Sequence, residues 1–183
     1  MARNIEIKAR IDSVEAMLIR ARDLADDPPQ VIEQDDTYFN CTHGRLKLRD
    51  FGDGGGELIH YERADAEGPM LSEYICAATS DPMALRQALT RALGAVGRVR
   101  KRRLLLLAGQ TRIHLDRVEG LGDFLELEVV LREGQSEEDG AAIADALCAQ
   151  LGLEPSQRLA EAYLELLAGR ACGEVRGDAL PSL

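Results

Sequence analysis

Polar and apolar residues alternate strictly through Asn4-Ile5-Glu6-Ile7-Lys8-Ala9-Arg10-Ile11. A period of two marks a strand with one buried face. It puts Asn4, Glu6, Lys8 and Arg10 on one side and the apolar residues on the other. Asp12 with Glu15 then reads as a capping box. The helix it opens carries Val14, Met17, Leu18, Ala21, Leu24 and Ala25 as an apolar stripe, and Pro28-Pro29 ends it. Residues 30–41 predict an extended stretch, favoured by Thr37, Tyr38 and Phe39. Alternation returns in Arg45-Leu46-Lys47-Leu48-Arg49, before a glycine-rich turn at 52–56. A strand from Glu57 to about Asp65 completes a hairpin, and 71–79 predicts another strand. Ser80-Asp81-Pro82 opens a second helix that Gly94 stops. Strands over 96–108, 111–118 and 124–131 follow. A helix capped by Ser136 and a last helical stretch with Leu159, Tyr163, Leu164, Leu166 and Leu167 close the domain, 1–170. Residues 171–183 lack periodicity and read as a flexible tail.

About eight antiparallel strands can curl into a closed barrel or tunnel. If the amphipathic helices pack outside, on the Ile, Leu and Val faces, the charged faces point at one another. The expected fold is therefore α+β, a closed antiparallel eight-stranded β-barrel with its helices outside.

Composition changes this picture in two ways. The net charge of −10, from 32 acidic and 22 basic residues, argues against a general nucleic-acid or membrane-surface binder. The longest apolar run, Leu104–Ala108, is too short to span a bilayer. The polar N-terminus and four scattered cysteines without a CxxC pair fit a reducing, cytoplasmic setting.

The minority cations are sorted. Lys8, Arg10, Arg45, Lys47, Arg49, Lys101, Arg103 and Arg112 recur on the polar faces of alternating strands. Solvated strand faces are richer in Thr, Ser and Gln. Like charges gathered in a concave space need compensation, and Arg forks with Lys point charges suit phosphate oxygens. Glu6, Asp116, Glu126 and Glu128 share those faces, with Glu126 and Glu128 two residues apart on one strand. Two readings stay open for these acids: ion pairing with neighbouring cations, or ligation of Mg²⁺ or Mn²⁺, which would reconcile them with a polyphosphate. His114 reads as a satisfied strand histidine in preference to a metal ligand. Tyr163 reads either as packing or as a stopper at one tunnel mouth. Arg98, Arg100 and Arg102 fall on the outer face, solvated or meeting acidic helix surfaces.

These segments resemble, in order and over residues 4–168, the CYTH superfamily of triphosphate tunnel metalloenzymes. Asn4-Ile-Glu6-Ile-Lys8 resembles its opening ExExK motif, and Arg45-Leu-Lys47-Leu-Arg49 its paired basic strand. Glu57–Arg63, Val99–Arg103, Arg112–Val118 with Leu121–Glu128, and Tyr163–Leu167 resemble its later motifs. The hairpin around Leu121-Gly-Asp-Phe124 is most similar to the class IV adenylate cyclase branch. The resemblance implies Glu6, Glu126 and Glu128 as metal ligands with Asp116 beside them. It implies Lys8, Lys47, Arg49, Arg63, Lys101, Arg103 and Arg112 as the triphosphate grip, and Glu6, Lys8 and Glu126 as catalytic. Arg10 joins the substrate-binding set through its place on the polar face.

The expected activity is conversion of ATP to cyclic AMP and pyrophosphate. The alternatives are hydrolysis of tripolyphosphate, thiamine triphosphate or a nucleotide, and a non-catalytic polyphosphate-binding module. The last is motivated by Asn4, where the motif has Glu: an amide oxygen is a neutral, weaker ligand. Lys47 stands for a usual Arg and loses the bidentate fork. A homodimer is the family precedent, with oligomeric state left open.

Overall fold

The computed structural model describes residues 2–63 and 68–174. Its strands are β1 (Ala2–Arg10), β2 (Gln30–Phe39), β3 (Arg45–Asp50), β4 (Gly56–Arg63), β5 (Met70–Thr79), β6 (Ala95–Ala108), β7 (Thr111–Val118) and β8 (Gly122–Val130). They close into an antiparallel barrel in the order β1-β5-β4-β3-β2-β6-β7-β8. β1 seals it by pairing with β5 on one edge and β8 on the other. Four helices accompany the barrel: α1 (Val14–Arg22), α2 (Pro82–Leu93), α3 (Glu137–Leu151) and α4 (Tyr163–Glu174). This is the α+β tunnel expected from the alternation. Residues 171–174, expected in the tail, continue helix α4; residues 64–65 of the expected fourth strand and 175–183 of the expected tail lie outside the described residues.

The apolar faces of β1, β7 and β8 point outward and are covered by α1 and α3. Ile5, Ile7, Ile113, Leu115, Leu125, Leu127 and Val129 are all buried there against Met17, Ala21, Ala144, Cys148 and Leu151. Each such fully buried Leu or Ile contributes about 1.5–3 kcal/mol. Gly140 permits the close approach of α3: a Cβ there would lie 2.5 Å from Leu131 Cδ2 and 2.7 Å from Ile5 Cγ1.

Helix α1 is capped by Ser13, not Asp12: Ser13 Oγ accepts from the Ala16 N–H at 3.3 Å. The reason lies in the barrel. The Ile11 N–H still donates to Asp123 O at 3.1 Å, so the chain stays in the sheet past Arg10. Asp123 Oδ2 then accepts from the Val14 N–H at 2.9 Å, adding a second cap. Helix α2 begins and ends as expected, with Asp81 Oδ1 accepting from Ala84 N–H and Gly94 at φ 79°. Leu159 lies ahead of α4 rather than within it. Its N–H donates to Lys8 O at 2.9 Å, which carries the chain across one end of the barrel.

Candidate functional site

The inward positions enclose a cavity of about 510 Å³ lined from all eight strands. On one side, two Lys-x-Arg pairs are held from behind in the same way. Asp36 on β2 pairs across the ladder with Arg49 on β3, and Asp116 on β7 with Arg103 on β6. Arg49 donates from Nε and Nη2 to the two Asp36 oxygens, both at 2.8 Å, and Lys47 Nζ donates at 3.0 Å. Arg103 donates to both Asp116 oxygens at 2.6 Å, and Lys101 Nζ donates at 2.8 Å. Burial alone would raise both carboxyls, but the adjacent cations reverse this and hold each well below the usual carboxylate range. Both aspartates are thus fixed anions that aim the cations inward. Burial, and then Arg103 beside it, pulls Lys101 down to about 8.

Two rows of charged side chains form another wall. Glu126 on β8 has Lys8 on one side and His114 on the other; Glu128 has Glu6 and Arg112. Glu126 accepts from Arg103 and lies 3.6 Å from Lys8 Nζ. Glu128 accepts from Arg112 Nη1 at 3.1 Å, and Glu6 from Arg63 Nη1 at 3.4 Å. Burial would raise Glu126, yet Lys101 and Arg103 hold it well below its ordinary value. Glu6 goes the other way: burial and then Glu128 raise it, against Arg63. The inward cations are Lys8, Lys47, Arg49, Arg63, Lys101, Arg103 and Arg112, and the acids Glu6, Glu57, Asp36, Asp116, Glu126 and Glu128. Charge is therefore nearly balanced, so a polyanion on this wall needs a cation between it and the glutamates. Carboxylate oxygens of Glu126 and Glu128 with a ring nitrogen of His114 lie within 4.8 Å of one another, a donor set suited to a divalent metal.

One end of the tunnel is stoppered. Tyr163 packs edge-on against Phe124, with ring centroids 4.9 Å apart, and its hydroxyl donates to Asp116 Oδ2 at 3.1 Å. Lys8 and Lys101 lie over its ring, at 4.2 and 4.8 Å from the centroid. The segment before it supplies acceptors, Glu161 O for Lys8 and Ala160 O for Arg63, each at 3.0 Å. Tyr163 is thus both packing and stopper. The remaining lining is less ionic: Ile32, Tyr38, Ile59, Tyr61, Tyr74 and Leu105.

The structure brings together every sequence-derived site residue except one. Arg10 is stationed beyond the stopper, its guanidinium over Phe124 at 4.6 Å and donating to Leu121 O at 3.0 Å. Asp116 is present but its oxygens are taken by Arg103, Lys101 and Tyr163. Asn4 is buried in the lining, and its Oδ1 has no hydrogen-bond partner among the described residues. His114 is not satisfied as its sequence context implied: its buried Nδ1 has no hydrogen-bond partner either. Asp36 joins the site beyond the residues that the sequence pattern marks, although its spacing from Gln34 and Tyr38 puts it on the inner face. The outer arginines meet strand and turn acids, not helices: Arg98 pairs with Asp35, Arg100 with Asp35 and Glu119, and Arg102 with Glu33.

A family model for the CYTH domain matches residues 2–163. Comparison with curated proteins gave no match. Among solved structures, PH1012 from Pyrococcus horikoshii OT3 is 26% identical with a TM-score of 0.81, covering 90% of this chain and 99% of its own. A proposed adenylate cyclase from Vibrio parahaemolyticus is 18% identical with a TM-score of 0.71, covering 90% of this chain and 97% of its own. HpAC1 from Hippeastrum, a proposed adenylyl cyclase with a dominant triphosphatase activity, is 14% identical with a TM-score of 0.66, covering 99% of this chain and 98% of its own. The last two share the fold. Among the described residues, no helix is long and apolar enough to cross a membrane.

Proposed function

The chain belongs to the CYTH domain family, and we propose that it is a divalent-metal-dependent enzyme acting on a triphosphate held in the tunnel. The observation that carries this is the convergence of braced cations and carboxylates on one cavity. Lys47, Arg49, Lys101 and Arg103, fixed by Asp36 and Asp116, line it together with Glu6, Glu126 and Glu128, and Arg103 reaches across to Glu126. The four cations bind and straighten the phosphate chain. Arg63 and Arg112 hold the glutamates and reach phosphate oxygens beside them. A bound Mg²⁺ or Mn²⁺ supplies Lewis-acid polarisation of the phosphate oxygens. Glu126 and Glu128 would hold it, with Glu6 alongside. Tyr163 and Phe124 close one end against water.

The first reading is a class IV-like adenylate cyclase, converting ATP to cyclic AMP and pyrophosphate. The tyrosines and aliphatic residues of the lining favour it, because a bare phosphate chain makes no use of them while a nucleoside does. The ribose 3′-oxygen bonds to the α-phosphorus, the bond from that phosphorus to the bridging oxygen breaks, and pyrophosphate leaves with the electron pair and takes up the proton lost by the 3′-hydroxyl. The second reading is triphosphate hydrolysis, favoured by Asn4: the amide gives one carboxylate fewer for activating a ribose hydroxyl. Phosphorus NMR of ATP and of tripolyphosphate, each incubated separately with the protein and Mg²⁺ or Mn²⁺, separates them. Pyrophosphate with a cyclic nucleotide signal supports the first, orthophosphate with ADP the second, and unchanged ATP and tripolyphosphate in every tube contradict both.

A further inference from the structure

His114 is a buried inward side chain outside the phosphate grip, and its near neighbours are two glutamates, Glu126 and Glu128, at ion-pair but not hydrogen-bond distance. It stands opposite Glu126 in the β7–β8 ladder and lines the cavity. Its side chain is 5% exposed, and Nδ1 lies 3.8 Å from Glu126 Oε2 and 3.6 Å from Glu128 Oε1. No described residue hydrogen-bonds to that nitrogen. A buried polar atom without a partner is unfavourable, and a ligand that supplies the partner removes the cost.

We propose that His114 Nδ1 is a metal ligand together with Glu126 and Glu128, and that it makes the position selective for a Mn²⁺-class transition-metal ion over Mg²⁺. The inference rests on the metal-dependent reading above and adds the ligand that chooses the ion. Carboxylates alone serve either ion. Mg²⁺ keeps oxygen ligands and water, whereas Mn²⁺ and the later divalent ions accept imidazole nitrogen more readily. The three donors lie within 4.8 Å of one another. Ligands at about 2.1 Å from a common ion are separated by at most about 4.2 Å, so the set must close by a few tenths of an ångström. Glu126 and Glu128 remain 17% and 19% exposed and have room to rotate. The competing arrangement is a protonated His114 bridging the two carboxylates, with the metal bound through oxygen alone.

The test uses the full chain with Mn²⁺ alone and then with Mn²⁺ and tripolyphosphate, which contains no nitrogen. Pulsed electron paramagnetic resonance reads ¹⁴N coupling at the ion, and calorimetry reads Mn²⁺ and Mg²⁺ affinity. The expected result is ¹⁴N coupling in the wild type, lost in His114→Gln. In that variant Mn²⁺ affinity falls about tenfold or more, while Mg²⁺ affinity stays within about threefold. Bound Mn²⁺ without ¹⁴N coupling in the wild type overturns the proposal and leaves the metal-dependent reading standing. An unchanged Mn²⁺-to-Mg²⁺ ratio in His114→Gln overturns it in the same way. Failure of the wild type to bind either ion, with or without tripolyphosphate, overturns both.

Discussion

Asp36 lies directly across the β2–β3 ladder from Arg49, and each of its carboxylate oxygens accepts a guanidinium N–H at 2.8 Å. The same relationship recurs between Asp116 and Arg103 across β6–β7. Two cation clamps therefore enter the tunnel, each braced by a buried aspartate.

Asp36→Asn removes the brace and leaves Arg49 and Lys47 without their counter-charge. Breaking a buried pair from one side costs about 3–5 kcal/mol, so the urea midpoint falls by the corresponding amount. Saturating tripolyphosphate restores part of that loss, because a bound polyanion supplies the missing charge. Unchanged stability would show that the pair is solvated in practice.

Glu126→Gln and Glu128→Gln each keep the shape of the wall and remove one charge. Each lowers kcat about 10²–10³-fold, with circular dichroism unaltered. Retention of full turnover by the double variant would show that these carboxylates hold no catalytic metal.

Lys101 grips the polyanion only when protonated, and burial with Arg103 nearby places its loss of proton at about 8. Its charged fraction therefore falls as pH rises through that value. kcat/KM, which reports the free enzyme, is expected to decline above about pH 8. Lys101→Arg keeps its charge to far higher pH and removes this limb. A profile still flat at pH 9.5 in the wild type would place the proton loss elsewhere.

Tyr163→Phe deletes only the hydroxyl on Asp116, at a cost of about 1 kcal/mol, and leaves turnover close to the wild type. Tyr163→Ala also removes the ring against Phe124 and beneath Lys8 and Lys101. It costs about 3–5 kcal/mol and opens the stoppered end. Thermal melts of the two variants side by side separate the stopper's packing from its hydrogen bond.

Much of this was legible in the residues because strand parity fixes the face. Glu6 and Lys8, Lys47 and Arg49, Lys101 and Arg103, and Glu126 and Glu128 sit at odd-even positions that admit one inward set. Asp36 was hidden by Gln34-Asp35-Asp36, where polar residues occupy both faces and the alternation fails. Its role depends on the β2–β3 register, which no single segment contains. Arg10 shows the converse limit. Parity gives its face but not its depth, and Phe124 and Tyr163 separate it from the cavity. His114 likewise acquires meaning only from the β7–β8 register, which sets it beside Glu126.

The most direct measurement is a calorimetric titration of tripolyphosphate into the full chain, with Mn²⁺ and then with excess chelator. A tunnel built to bind a triphosphate through braced cations and a metal gives one saturable site per chain. Affinity falls about 100-fold or more when the metal is withdrawn, and about tenfold or more in Arg49→Lys, which loses the fork. Absence of saturable binding, or binding indifferent to both chelator and Arg49→Lys, would contradict the central claim.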